Sequence, residues 1–366
     1  MASTRRQLRN LLLEDIAAGS KNAMVGGPFG SNLVVAEFTG AGVPVIRGQN
    51  MGHGRWVSGE FVFVSEEKAS SLSANIARPG DVIFTQRGTL GQVALVPPAP
   101  YERYIVSQSQ MKLTADDSKA DPMYIYYLFK SPALQSHIHR SAIRTGVPHT
   151  NLRLLRETPI ALPSIEVQRQ IAEELGLLDA KIELNLRMLV TLEATARAIF
   201  KSWFVDFDPV RESSMAGDIR QLFPERLVDS AIGRVPSGWQ VAPLGLYIEV
   251  LRGLSYAGIG LATEGMPLHN LDSISEGGGY KESGIKYYVG EYRERHCVRA
   301  GDVIVANTEQ GFDRLLIGYP AIVPRSFGQT GLYSHHLYRV RPVEDAPLTA
   351  PWLYLLLVGS RMHQQV

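Results

Sequence analysis

Arg78-Pro-Gly-Asp-Val-Ile83 returns later in the chain as Arg299-Ala-Gly-Asp-Val-Ile304. The likeness extends outward from this pair in order. Val96-Pro97 matches Val323-Pro324, and Ser107 of Ser-Gln-Ser-Gln110 matches Ser334 of Ser-His-His336. Tyr124-Ile-Tyr-Tyr-Leu128 matches Trp352-Leu-Tyr-Leu-Leu356. Upstream, Val43-Pro-Val-Ile-Arg-Gly-Gln-Asn50 has a looser counterpart in Met266-Pro-Leu-His-Asn-Leu271. The offset drifts by only a few residues between blocks. One domain is therefore present twice, with changes in loop length, and the spacing is far beyond the roughly 20–50 residues of a solenoid repeat.

Each copy mixes strand and helix patterns. Val82-Ile-Phe84 and Val93-Ala-Leu-Val96 are short β-type runs around the turn Arg87-Gly88-Thr-Leu-Gly91. The segment Tyr124–Phe129 follows Pro122 and reads as a helix running toward Ile138. Between the copies the texture changes. Ser164 is a good N-cap residue, and Glu166 sits in the first turn, where a carboxylate suits the helix dipole. No proline then occurs until Pro209. Ile171, Leu175, Leu178, Ile182, Asn185, Leu189, Leu192, Ala196, Ile199 and Trp203 recur in steps that alternate four and three. Such a seam predicts a coiled-coil helix, with a long amphipathic helix lying on a core as the other reading. Asn185 within the seam would fix register and partner. The expected class is α+β (mixed α/β): two duplicated domains joined by a long helix. The expected boundaries are 1–160, a helix at 161–211, a polar linker at 212–235, and 236–366.

Composition narrows the function classes. The 366 residues carry a net charge of +1, spread as +4 over residues 1–150, −1 over 151–211 and −2 over 212–366. No chain-wide basic surface results, so any polyanion must be met by local patches or with basic partners. No apolar run approaches the roughly 18 residues of a membrane span, and no secretory leader is read. The single cysteine, Cys297, cannot form an internal disulfide, which suits a reducing cytoplasmic location. Catalytic motifs are missing. There is no Gly-x-x-x-x-Gly-Lys-Ser/Thr phosphate loop and no Asn-Pro-Pro-Tyr-type segment. His335-His336 invites a metal reading, but neighbours on a strand would face opposite ways and no further ligand accompanies them.

Several segments resemble the specificity subunits of type I restriction–modification systems. Gly27-Pro-Phe-Gly-Ser-Asn-Leu33 is similar to the family's opening motif, and Gly80-Asp-Val-Ile-Phe-Thr-Gln-Arg-Gly-Thr-Leu-Gly91 to its central strand and turn. Leu162-Pro-Ser-Ile-Glu-Val-Gln-Arg-Gln-Ile171 resembles the entry to its conserved helix. Phe200-Lys-Ser-Trp-Phe-Val-Asp-Phe207 resembles the end of that helix and is the most specific piece. Leu222-Phe-Pro-Glu225 through Ile232-Gly-Arg-Val-Pro-Ser-Gly-Trp239 resembles the bridge into a second recognition domain. The resemblance implies two target recognition domains, each reading half of a split site on double-stranded DNA. It also implies methyltransferase subunits docked on the helix and motor–nuclease subunits joining through the complex. No cofactor is then expected on this chain; S-adenosylmethionine, ATP and Mg belong to the partners. No membrane partner is expected. A protein-interaction scaffold and the specificity region of a stand-alone methyltransferase are the alternatives.

Within that resemblance, base readout calls for paired donors and acceptors, Arg for guanine and Asn or Gln for adenine. In the first copy these are Arg47, Gln49 and Asn50, then Gln86 and Arg87, then Gln108 and Gln110, with Arg144 suited to phosphate. In the second they are His269, Asn270, Asn307, Gln310, Arg314, His335 and His336. Polar residues beside glycine also serve turns, so each has a structural reading as well. The two copies differ at these positions while sharing a framework, so different half-sites are expected.

The second copy ends at Val366, aligned with Ile138, and the counterpart of residues 139–207 is not in this sequence. The family packs two such helices against each other, so the seam from Ile171 to Trp203 is expected to seek a partner. The isolated chain should self-associate or aggregate, and static light scattering of a stable monomer would contradict this.

Overall fold

The computed structural model describes residues 8–52, 54–143, 148–211, 217–310 and 315–359. Two compact units emerge, divided between Leu189 and Val190. Each is built around two sheets of four or five strands and a covering helix, in one topology used twice. A two-stranded pair is added to each: Arg9–Leu12 with Pro159–Leu162 in the first, Leu227–Ser230 with Gly233–Pro236 in the second.

In the first unit, one sheet runs in the order Met24–Gly26, Gln110–Leu113, Val82–Thr85, Val93–Leu95. The second runs Val62–Val64, Val43–Ile46, Tyr104–Val106, Ile76–Ala77. In the second unit, the first sheet runs Ile248–Arg252, Leu337–Pro342, Val303–Ala306, Pro320–Ile322. Its second sheet runs Lys286–Tyr288, Met266–His269, Thr330–Tyr333, Cys297–Arg299, with Leu261–Ala262 added outside. Among the described residues, the parallel pair in each second sheet is also the equivalent one. It aligns Val45 with Ile105 and Ile46 with Val106, and then Leu268 with Leu332 and His269 with Tyr333.

The hydrophobic runs explain this layering. Val82–Thr85 and Val303–Ala306 are buried throughout. In a strand, alternate residues face opposite sides. Val82 and Phe84 accordingly join the core under the helix Pro122–Lys130, where the Phe84 and Phe129 rings meet at 4.7 Å. Ile83 faces the other way, into the core it shares with Ile46 and Val106. Val303 and Val305 likewise meet Leu353 and Tyr354 of the helix Ala350–Val358, and Ile304 and Ala306 meet Tyr333. A strand covered on both faces needs a continuous apolar run.

The repeated Arg-x-Gly-Asp block is a turn with a job. Gly80 and Gly301 adopt φ of 90° and 95°, where a side chain would be strained. Asp81 accepts the Arg78 N–H at 2.8 Å and the Thr114 hydroxyl at 2.6 Å, beside Lys112 at 3.4 Å. Asp302 accepts the Arg299 N–H at 2.7 Å and pairs with Arg341. The carboxylate closes the turn and ties it to the next strand.

The long helix is Ile165–Lys201, extended by a π turn at Ser202–Asp206 and stopped by Phe207 at φ 58°. Its packing is not what the heptad seam alone suggests. Within the first unit the helix is held by the face carrying Gln168, Ala172, Gly176, Asp179 and Glu183. Gln168 is fully buried; it accepts from Asp121 N–H at 3.1 Å and donates to the Lys119 and Pro163 carbonyls. Arg55 donates to the Gly176 carbonyl at 2.9 Å and pairs with Glu183 at 3.4 Å, and the Tyr127 hydroxyl donates to Asp179 at 2.8 Å. Within the second unit, Glu193 accepts from the Tyr354 hydroxyl at 2.5 Å, and Phe200 meets Trp352 at 5.5 Å. Of the seam, Ile171 and Leu175 are half-buried. Leu178, Ile182, Asn185, Leu189, Leu192 and Ile199 are exposed, with Leu178 at 61% and Leu189 at 63%. Trp203 is half-buried, edge-on to Phe223 at 5.8 Å.

The stretch read as a linker holds an antiparallel hairpin, Leu227–Ser230 with Gly233–Pro236, turned at Gly233 with φ 106°. The helical segment expected to run on toward Ile138 breaks at Ser131-Pro132, and Pro132–Ser141 starts afresh with Ser131 as its cap. Four of the expected reading side chains are spent on framework. Asn50 is fully buried, accepts the Arg47 N–H at 3.0 Å, and donates to the Ser58 and Glu60 carbonyls. Gln110 is fully buried and accepts from the Ser107 hydroxyl. Asn270 is buried, accepts the Asp272 N–H at 3.0 Å, and donates to the Gly284 carbonyl at 2.6 Å. His269 is buried, with Nδ1 2.6 Å from the Tyr280 hydroxyl. A side chain enclosed in this way cannot reach a base edge.

Burial pushes the His269 imidazole down from 6.5 to about 4, so it folds neutral. The unfolded chain binds that proton first as pH falls, so the contribution to stability is complete above pH 6.5 and is lost toward pH 4. The second unit should lose up to about 3 kcal/mol across that window. Urea midpoints followed by tryptophan fluorescence test this, with H269Q expected to flatten the profile.

Candidate nucleic-acid interface

In each unit, loops leave the ends of the same buried strands. Gln86 follows Thr85, and Asn307 follows Ala306. Backbone bonds fix the equivalence: Gln86 N–H to the Ser109 carbonyl at 2.7 Å, and Asn307 N–H to the His336 carbonyl at 3.0 Å. Gln86, Arg87, Gln108 and Ser109 thus stand where Asn307, Thr308, His335 and His336 stand in the other unit. The framework is common and the side chains are not.

Arg87 and Gln108 are exposed in the first unit, and Gln86 is half-buried. They line a groove of about 880 Å³ together with Lys21, Arg153 and Arg156, with Asn75 and Asn151 between. Four cations and no carboxylate line it, so the groove suits a polyanion. Arg153 and Arg156 lie on the helix Leu152–Arg156, which Asn151 caps through Leu154 N–H at 2.9 Å. Arg156 donates to the Met24 carbonyl at 3.0 Å, which aims it along the groove wall, while Arg153 pairs with Glu157 at 2.8 Å at the rim. Sequence reading missed Lys21, Arg153 and Arg156. Arg153 and Arg156 had only the Asn151-Leu-Arg-Leu-Leu-Arg156 pattern of a capped basic turn to mark them, and nothing marked their convergence with Lys21.

Arg47 and Gln49 lie apart from the groove lining, at the end of the strand Val43–Ile46; Gln49 is exposed and Arg47 half-buried. In the second unit, Asn307 donates to the His335 carbonyl at 2.9 Å. His335 and His336 belong to a turn after Tyr333, not to the strand, so their rings lie 4.0 Å from each other, tilted by 40°, instead of pointing apart. Partial burial, and next the neighbouring His335, pull the His336 pKa down; its Nδ1 is 3.0 Å from the Thr308 hydroxyl. Glu309 accepts N–H groups of Ile317, Leu316 and Gln310, and these bonds hold its carboxyl below the usual range. Glu309 is a loop clamp, and Gln310 beside it is exposed. Arg144 and Arg314 lie outside the described residues.

Buried side-chain atoms without a hydrogen-bond partner gather at these same junctions. Five of the eight such atoms among the described residues lie here, Arg47 Nε and Gln110 Nε2 in the first unit and Asn307 Oδ1, Ser334 Oγ and His335 Nδ1 in the second; Arg55 Nε, the Tyr104 hydroxyl and Arg339 Nε lie elsewhere. A buried polar group left unpaired is costly, so such positions are more often shaped by binding than by stability. Among the described residues there is no group of three or more His, Cys, Asp or Glu side chains that could hold a metal ion. No helix among them is long and apolar enough to cross a membrane.

Residues 37–194 match the family model described as the type I restriction modification DNA specificity domain. The MjaIX type I restriction enzyme specificity subunit of Methanocaldococcus jannaschii is 25% identical over 226 residues, which is 60% of this chain and 48% of that protein. The HindI specificity subunit of Haemophilus influenzae is 32% identical over 142 residues, 38% of this chain and 31% of that protein. The chain thus spans less than half the length of these curated relatives. The crystal structure of a type I restriction–modification S subunit from M. genitalium covers 100% of this chain and 80% of its own, with a TM-score of 0.50 at 15% identity, which supports the fold. Over residues 37–194 the chain is thus similar to the type I restriction modification DNA specificity domain, and its duplicated two-sheet units share the fold of a solved S subunit.

Proposed function

We propose that the chain is the non-catalytic DNA reader of a type I restriction–modification complex, working in the cytoplasm. Each unit reads one half of a bipartite double-stranded target. The observation that carries this reading is the duplication itself: one backbone framework holds different polar side chains at the same four loop positions. A protein that recognised one ligand twice would have no use for that difference. The cation-lined groove supplies phosphate contacts that set register, and the loop side chains supply base contacts that set sequence.

In this reading Gln86, Arg87 and Gln108 serve the first half-site, with Gln49 and Arg47 at its margin and Arg144 beyond the described residues. Asn307, Gln310, His335 and His336 serve the second, with Arg314 likewise beyond them. Methyltransferase subunits dock on the exposed seam of the long helix, and motor–nuclease subunits join through them. An apolar row at Leu178, Ile182, Leu189 and Leu192 supports that assignment, since exposed apolar stripes of this size mark interaction sites. S-adenosylmethionine, ATP and Mg act on those partners.

With modification subunits present, Q86A and R87A should each weaken or relax reading of one half-site by about 1–3 kcal/mol and leave the other unchanged. R153A should instead weaken binding to all sequences alike and lower the salt slope by about one. Competition binding at several salt concentrations separates the two; equal loss on every sequence for Q86A and R87A contradicts their assignment.

A further inference from the structure

The two most exposed large apolar side chains among the described residues lie in the equivalent loops of the duplicated fold, Phe29 at the start of a helical turn and Ile259 within one. Phe29 is 87% exposed and Ile259 is 95% exposed. Phe29 lies in the loop that follows Met24–Gly26, and Ile259 in the loop that follows Ile248–Arg252; these are equivalent edge strands of the two first sheets. The backbone fixes the match. Gly27 N–H donates to the Gln110 carbonyl at 2.9 Å, and Gly253 N–H to the Leu337 carbonyl at 3.2 Å. A Cβ on Gly27 would lie 1.8 Å from the Ser107 carbonyl oxygen, and one on Gly253 2.3 Å from that of Ser334. Both loops therefore need glycine at the same close approach, and both then enter a single helical turn, Gly30–Asn32 and Gly258–Gly260.

Neither tip is loosely held. Asn75 donates to the Gly26 carbonyl at 2.7 Å, and the Gln108 amide donates to the Gly30 carbonyl. In the other unit, Gly260 N–H donates to the Ala257 carbonyl at 3.0 Å, and Val289 N–H to the Gly260 carbonyl at 3.0 Å. Single exposed apolar residues are ordinary on a protein surface. Two hydrogen-bonded loops, equivalent in the two units, that each present the extreme case are not scatter. Phe29 also stands on the wall of the groove that carries Lys21, Arg87, Arg153 and Arg156. Cations there hold phosphates, so an apolar tip between them meets the bases and not the backbone.

We propose that Phe29 and Ile259 are paired wedges: each presses its side chain into the base stack of its half-site and loosens one step, and beside Phe29 the groove cations hold the flanking phosphates. This rests on the DNA-reading function above. Apolar wedges of this kind trade unstacking energy for closer contact, and so favour steps that unstack easily. The tips would then add shape-dependent specificity that no hydrogen bond supplies.

The test uses the chain assembled with its modification subunits and a duplex selected by that assembly from random sequence. 2-Aminopurine is placed along each half-site in turn. The wild-type assembly should raise its fluorescence at one or two steps per half-site. F29A should abolish the rise in the first half-site alone and weaken binding about tenfold, whereas F29L should keep part of both. I259A should do the same in the second half-site alone. Both tips are exposed, so unchanged thermal midpoints are expected and checked. Specific binding that is unchanged in F29A and I259A, or a fluorescence rise indifferent to both, overturns the wedges and leaves the DNA reader standing. If the wild-type assembly selects no sequence, the reader and the wedges fall together.

Discussion

The central strand of each unit, Val82–Thr85 or Val303–Ala306, is covered on both faces, and this constraint organises the rest. Its odd and even side chains belong to different cores, so it cannot slip by one residue without inverting both. The covering helix on one side and the second sheet on the other follow from that. So does the place of the loops, because the chain leaves the strand at a fixed point, at Gln86 or at Asn307. A loop anchored this way can change its side chains freely while its ends stay put.

The long helix obeys a less usual rule. A surface helix ordinarily buries its apolar stripe and shows its polar face. Here the first unit grips a polar and small-residue face through Gln168, the Gly176 carbonyl, Asp179 and Glu183, and the apolar row stays outside. Hydrogen bonds set the orientation of the helix, which leaves dispersion and hydrophobic contact available for something else. The aromatic group at its far end, where Phe204 meets Trp239 at 6.1 Å and Phe207 meets it at 5.6 Å, anchors the last turns within the second unit.

Much of the fold was legible because it is written twice. The repeated Arg-x-Gly-Asp block marks a turn whose aspartate and positive-φ glycine have the same tasks in both units. The alternating four-and-three steps marked the helix, and Ser164 its start. What pattern reading missed was local chemistry. Ser131-Pro132 splits one expected helical run because Ser131 can cap a new one. The hairpin Leu227–Ser230 with Gly233–Pro236 hid in a stretch whose composition resembles a linker. The candidate interface was legible in position more than in identity. Sequence placed polar residues at strand ends, yet it could not tell Gln86, which faces the groove, from Asn50, which closes a turn. Only three-dimensional enclosure distinguishes a side chain that binds outward from one that binds its own backbone. Lys21, Arg153 and Arg156 were unreadable for the opposite reason: they converge from distant parts of the chain, and no local spacing records that.

The exposed seam also ties the protein's persistence to its company. Leu178, Ile182, Leu189 and Leu192 forgo more than half of what full burial would contribute while they face water. Any chain that covers them stabilises the folded form by mass action, to an extent set by its concentration over its dissociation constant. If a partner docks on this row as proposed, its supply sets how much of the folded chain survives quality control, and the stoichiometry of such an assembly is regulated after synthesis, through solvation.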